Sequence, residues 1–152
     1  MGKFFIYGGA RGGGKTDGTL GRALLRAIKY KEKYSGLFIR KSLTQLEPAI
    51  ARSKELYSSF GTYNEQRKAW NFSNGARLRF RYIERDSDAE NEQGASNTDV
   101  MVEEIGNFAD LGPLLKLKGT LRSTAGVPTC FSSTGNPGGV GQAAVKRRYI
   151  DP

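Results

Sequence analysis

The chain has 152 residues, enough for one domain with a real core. It has one cysteine, Cys130, and no histidine, which excludes an internal disulfide framework, argues against Cys-based zinc and removes Ser–His and Cys–His nucleophile schemes. Lys plus Arg number 24 against 15 Asp plus Glu, a net charge of +9; this balance favours a polyanionic partner, nucleic acid first, with a solvated basic surface as the plainer alternative.

No apolar run approaches the ~18 residues of a membrane span, and the N-terminus lacks the apolar stretch of a signal peptide. The expectation is a chain that is neither membrane-bound nor secreted. With imidazole absent, its chemistry is left to carboxylates, Lys and Arg, hydroxyls, backbone amides and a hard metal ion.

Lys3–Tyr7 reads as a short buried strand, followed by a glycine loop over 8–14. From Lys15 to about Lys33, Leu20, Leu24, Leu25 and Ile28 recur at helical spacing with basic residues between them. Gly36–Lys41 reads as a second strand. A second helix is expected from Leu43 to about Phe60, broken or started late by Pro48. Lys68–Ile83 reads as a β-hairpin with an Asn74–Gly75 turn; Arg77, Arg79 and Arg81 alternate with Leu78, Phe80 and Tyr82. The polar stretch Glu84–Thr98 reads as a loop. Thr98–Phe108 contains a third core strand running into acidic residues, Leu111–Arg122 a short helix, and Val127–Gly139 a fourth strand ending in a turn. The tail, Gly141–Pro152, starts as a helix. Strands alternating with helices predict parallel βαβ units: an α/β fold with a mostly parallel sheet, helices on its faces and an inserted hairpin.

The glycine loop has a chemical reading. Gly9, Gly14, Lys15 and Thr16 fit the spacing of a phosphate-binding loop, set between a predicted strand and a predicted helix. Gly9, Ala10, Arg11, Gly12, Gly13 and Gly14 would turn backbone amides toward a phosphate, because glycine allows the close approach. The helix behind them aims its N-terminus at the same anion. Lys15 would place a charge on the β/γ-phosphates and Thr16 a hydroxyl on Mg²⁺. The alternative is a Gly-rich turn.

A P-loop ATPase also needs carboxylates at the tip of a core strand beside the loop, one toward the metal and one polarising the attacking water. Glu103 is read as the metal-side carboxylate and Glu104 as the catalytic base. Thr134 and Asn136, in the turn after the fourth strand, are candidates to contact γ-phosphate or the attacking water; an ordinary Asn–Pro–Gly–Gly turn is the alternative.

Taken in order, "GGARGGGKT", "LFIRKSLTQLEPAI" with Arg40 and Gln45–Leu46, "WNFSNGARLRFRYIE", "ENEQGASNTDVMVEEIGNF" and "TGNPGGVGQAAVKRRYIDP" resemble the ATPase domain of tailed-phage terminase large subunits. The resemblance implies a P-loop NTPase fold and binding of ATP with Mg²⁺. It further implies hydrolysis coupled to translocation of double-stranded DNA. Its partners would be a terminase small subunit and a portal, in a ring homo-oligomer in the cytoplasm of an infected bacterial host. Arg11 matches the family's phosphate-contacting arginine, and Gly135–Pro137 its coupling turn. That family commonly has Asp–Glu where this chain has Glu103–Glu104, a carboxylate moved by about one methylene against the strict octahedral preference of Mg²⁺. The resemblance implies a partial domain over residues 1–152, without the family's adenine-binding segment or nuclease domain.

Two other readings remain at this point: another P-loop DNA-handling ATPase, and a catalytically weak or inactive nucleotide- or DNA-binding fragment. For DNA contact the candidates are Arg77, Arg79 and Arg81 on one hairpin face and the cluster Lys146, Arg147 and Arg148.

Overall fold

A computed structural model describes residues 3–7 (as backbone), 14–122 and 126–135. Its strands are β1 (Lys3–Tyr7), β2 (Ser35–Arg40), β3 (Gly61–Asn64), β4 (Ala69–Phe72), β5 (Arg77–Tyr82), β6 (Asp99–Val102) and β7 (Cys130–Thr134). Its α-helices are α1 (Gly14–Tyr30), α2 (Leu43–Tyr57), α3 (Asp86–Glu90) and α4 (Gly112–Lys118). The strands form one sheet in the order β1-β7-β6-β2-β5-β4-β3. From β1 across to β5 every pairing is parallel, and β4 and β3 then add on antiparallel. The fold is therefore the α/β class expected.

Both faces of the sheet are covered, so Leu37–Ile39 of β2 and Val100–Val102 of β6 are continuous apolar runs rather than alternating ones. Phe38, Leu78, Phe80 and Met101 pack under α1 and α2 with Leu20, Ala23, Leu46, Ala49 and Tyr57. On the other face, Leu37, Ile39, Val100, Val102 and Phe131 pack under α3 and α4 with Ala89, Leu114 and Leu117. Successive strand residues thus serve opposite layers.

Several elements differ from the sequence expectations. Pro48 neither breaks nor delays α2; it lies inside the helix. Ser42 sets the start by accepting from Gln45 N at 3.3 Å. Leu46, Ala49, Ile50 and Tyr57 then bury one face on both sides of the proline, which outweighs the ~3 kcal/mol an interior proline costs. The hairpin extends the central sheet: β5 pairs in parallel with β2 along its length, from Ser35 opposite Arg77 to Arg40 opposite Tyr82. Residues 61–64, given no element from sequence, form edge strand β3 against β4. The stretch read as a loop over Glu84–Thr98 contains the short helix α3, with Ala89 in the core and the Asp88 carboxylate accepting from Arg85 N at 3.0 Å.

Trp70 and Phe72 are core residues: Trp70 donates from Nε1 to Ser53 Oγ at 2.8 Å and packs edge-on against Tyr57. At the turn, Gly75 has φ +96°, and a Cβ there would come within 2.8 Å of Glu32 Cβ. Only glycine meets both demands.

Candidate functional site

The C-terminal ends of β6, β2 and β7 meet the N-terminus of α1 along one rim of the sheet. Lys15 and Thr16 occupy the first turn of α1. Lys15 Nζ donates to Gly135 O at 2.9 Å, just past the end of β7. Thr16 Oγ1 donates to Glu103 Oε1 at 3.0 Å, just past the end of β6. Parallel pairing brings these ends together: Val102 is opposite Ser133 in β7 and Ile39 in β2.

The acidic strand tip was expected beside the glycine loop. The acidic strand β6 is not the neighbour of β1, and β7 lies between them. This order places the end of β7, and Gly135 just past it, between β1 and the strand that carries Glu103. Thr134, a sequence candidate for phosphate contact, is buried and accepts from Glu104 N at 3.3 Å. It joins the two strand tips.

Glu103 is buried at 2% exposure. Its Oε1 takes both the Thr16 hydroxyl and Arg40 Nη1, the latter at 2.5 Å. Burial pushes its carboxyl above the ordinary range; the Arg40 charge and the hydrogen bonds from Thr16 and Arg40 pull it back, and the charge of Glu104 pushes it up again. Its Oε2 is buried with no hydrogen-bond partner among the described residues. A buried carboxylate oxygen left open beside a threonine hydroxyl fits a water of hydrated Mg²⁺, which keeps most of its waters and takes few protein ligands. The extra methylene of Glu103 does not keep its carboxylate from reaching Thr16.

Glu104 has φ 56° and ψ 51°, the left-handed conformation, at the turn from β6 into a 3-10 segment, Ile105–Asn107. A non-glycine residue held there is strained, and such strain concentrates at functional sites. Gly14 opens α1. Gly9, Ala10, Arg11, Gly12, Gly13 and Asn136 lie outside the described residues, as do Lys146, Arg147 and Arg148.

No family model matches the chain, and no curated protein does. Solved structures do. The chain aligns over 99% of its length with the large terminase of a thermophilic bacteriophage, with TM-score 0.71 and 12% identity. The N-terminal domain of the DNA packaging ATPase from bacteriophage phi29 aligns with 89% of it, with TM-score 0.63 and 16% identity. The Thermus phage P74-26 large terminase ATPase domain aligns with 97%, with TM-score 0.53 and 14% identity. The chain has the fold of phage terminase ATPase domains. It spans 37% of the first of these proteins, 74% of the phi29 domain and 80% of the P74-26 domain.

Within this terminase-type fold, three features were not legible beforehand. Arg40 was noted only for its place in a resembling segment; its pairing with Glu103 emerges from the β2–β6 register. Gly135 acts through a main-chain carbonyl, which has no sequence signature. Third, Asp99 is fully buried at the start of β6 and meets Arg22 Nη2 at 3.3 Å, Arg26 Nη1 at 3.2 Å and the Tyr34 hydroxyl at 2.8 Å. Arg22 and Arg26, four apart on one helix face, were the available signal, since like charges at that spacing need an acidic partner.

The arginine face of the hairpin also changes meaning. Arg79 donates to Glu92 Oε1 at 2.7 Å and to Asn97 Oδ1 at 2.9 Å, and Arg81 pairs with Glu92 Oε2 at 3.4 Å. Two of the three proposed DNA contacts are thus committed to a carboxylate that is 8% exposed. Arg77 is exposed. No helix among the described residues is long and apolar enough to cross a membrane.

Proposed function

We propose that the chain is the ATP-binding and hydrolysing module of a phage DNA-packaging motor. The observation that carries this reading is the convergence of Lys15, Thr16 and Glu103, with Gly135, at one rim of a terminase-type sheet. In this reading Gly9–Gly14 contribute backbone amides to the phosphates, with Arg11 beside them and Lys15 as the point charge. Thr16 and Glu103 would hold Mg²⁺, which when bound neutralises charge developing on the phosphates. Glu104 would orient and deprotonate the attacking water as general base. Asn136 would contact the γ-phosphate or that water.

Coupling has a physical route in the same residues. Lys15 is hydrogen-bonded to the Gly135 carbonyl just past β7, so a phosphate that draws Lys15 toward itself would release that carbonyl. The polyanionic partner suggested by the +9 charge would be double-stranded DNA, bound through phosphates without base readout. By resemblance, a small subunit, a portal and a ring of copies complete the motor.

The test is Mg²⁺-dependent ATP hydrolysis by the purified chain, with and without duplex DNA, beside Lys15→Ala and Glu104→Gln. Turnover that is lost in both variants and stimulated by DNA supports the motor reading. Nucleotide binding without turnover in the unmodified chain favours instead a binding module that needs further protein for hydrolysis.

A further inference from the structure

We infer that Arg40 is a positioning residue for the metal-side carboxylate: it ties one oxygen of Glu103 and leaves the other open to a metal-bound water. The inference rests on the Mg²⁺-nucleotide reading above and goes further, because it assigns a role to a residue that touches neither phosphate nor metal in that reading.

Arg40 ends β2, and Glu103 follows the last residue of β6. Ile39 is opposite Val102, and Glu103 N donates to Ile39 O at 2.9 Å. This register delivers the two side chains to the same rim, on the face of Phe38 and Met101 that α1 covers. Arg40 is largely buried, with its side chain 15% exposed.

The form of the contact is informative. Arginine most often grips a carboxylate with two parallel hydrogen bonds, one to each oxygen. Here Arg40 Nη1 and Thr16 Oγ1 both donate to Oε1, while Oε2 and Arg40 Nε have no hydrogen-bond partner among the described residues. A purely structural ion pair would close both oxygens, since an unsatisfied buried oxygen costs about 1–3 kcal/mol. Glutamate also has one more rotatable bond than aspartate, so its carboxylate needs a second tether to hold one orientation. Arg40 supplies that tether and sets a positive charge against the buried carboxyl group.

The experiment is a titration of the 152-residue chain with a fluorescent ATP analogue, in EDTA and across Mg²⁺ concentrations, with circular dichroism to verify folding. Arg40→Met is expected to leave affinity in EDTA within about twofold and to raise the half-saturating Mg²⁺ by about 10–100-fold, the usual effect of losing an outer-shell partner. Arg40→Lys should fall between, because it restores the charge without the planar fork. In a Glu103→Gln background, Arg40→Met should cause no further loss, since a positioning residue acts only through its target.

An unchanged Mg²⁺ requirement in folded Arg40→Met overturns the inference. So does an additional loss in the Glu103→Gln background, which would mean that Arg40 meets the nucleotide itself. Where Arg40→Met fails to fold, the double variant, which removes both buried charges together, carries the comparison with Glu103→Gln. If the unmodified chain binds no nucleotide in either condition, the ATP reading falls and takes this inference with it; binding that is insensitive to Arg40 overturns the inference alone.

Discussion

Arg22, midway along α1, meets Asp99 at the start of β6 at 3.3 Å, the opposite end of the strand from where Thr16 meets Glu103 at 3.0 Å. Four residues of strand separate Asp99 from Glu103, about 13 Å. Six to ten residues of helix separate Thr16 from Arg22 and Arg26, about 9–15 Å. The two lengths match, so the first turn and the middle of α1 are tied to the two ends of β6, and Arg22 also donates to Ser132 Oγ in β7 at 2.7 Å. Asp99→Asn keeps the shape but leaves two largely buried guanidinium groups facing a neutral amide. A loss of about 3 kcal/mol is expected, read as a lower urea midpoint with an unchanged slope. A loss below about 1 kcal/mol would show that both arginines find solvent instead.

Glu104 is held at φ 56°. Glu104→Gly and Glu104→Ala both remove the side chain, but only glycine removes the strain. The glycine variant should be more stable than the alanine variant by about 1 kcal/mol. Both should lack turnover if Glu104 is the general base. Equal stability in thermal or urea unfolding would mean that the turn imposes no strain on this residue.

Asp17 and Arg52 link the first turn of α1 to α2, with Arg52 Nε and Nη2 on the two carboxylate oxygens at 2.8 and 3.0 Å. The hydrogen bonds from Arg52 hold the Asp17 carboxyl below its ordinary value of 3.8, with the Arg52 charge acting the same way against a smaller upward push from burial. A depressed folded-state value means that the pair stabilises the protein above about pH 3.8 and that this contribution is lost as pH falls through the lower folded-state value. The difference in melting temperature between the wild type and Asp17→Asn should therefore be constant from about pH 7 to about pH 5 and shrink toward about pH 3. A difference that grows on acidification would reverse the sign and refute the assignment.

Arg77 and Arg79 share one face of β5 but have different surroundings. Arg79→Ala leaves Glu92 and Asn97, both largely buried, short of a donor, and should cost about 2 kcal/mol. Arg77→Ala should stay within about 0.5 kcal/mol of the wild type. If duplex DNA uses this face, Arg77→Ala should weaken binding and flatten its salt dependence while leaving stability intact.

Most of the elements were legible from residues close along the chain. Apolar periodicity located α1 and β2, Asn74–Gly75 marked the β4–β5 turn, and the glycine spacing before Lys15 and Thr16 is the ground for proposing a phosphate ligand. Backbone preferences and side-chain period act over just such short separations. The order of the strands, and with it the placement of β7 between β1 and β6, was settled by long-range packing alone. So were the pairings of Lys15 with Gly135, Arg22 with Asp99 and Arg40 with Glu103, which join residues 120, 77 and 63 positions apart. Contacts over such separations depend on register and on which sheet face each residue takes. Local propensity carries no information about either. For the same reason Pro48 and the arginines of β5 departed from expectation: packing against distant strands outweighed what their neighbours in sequence implied.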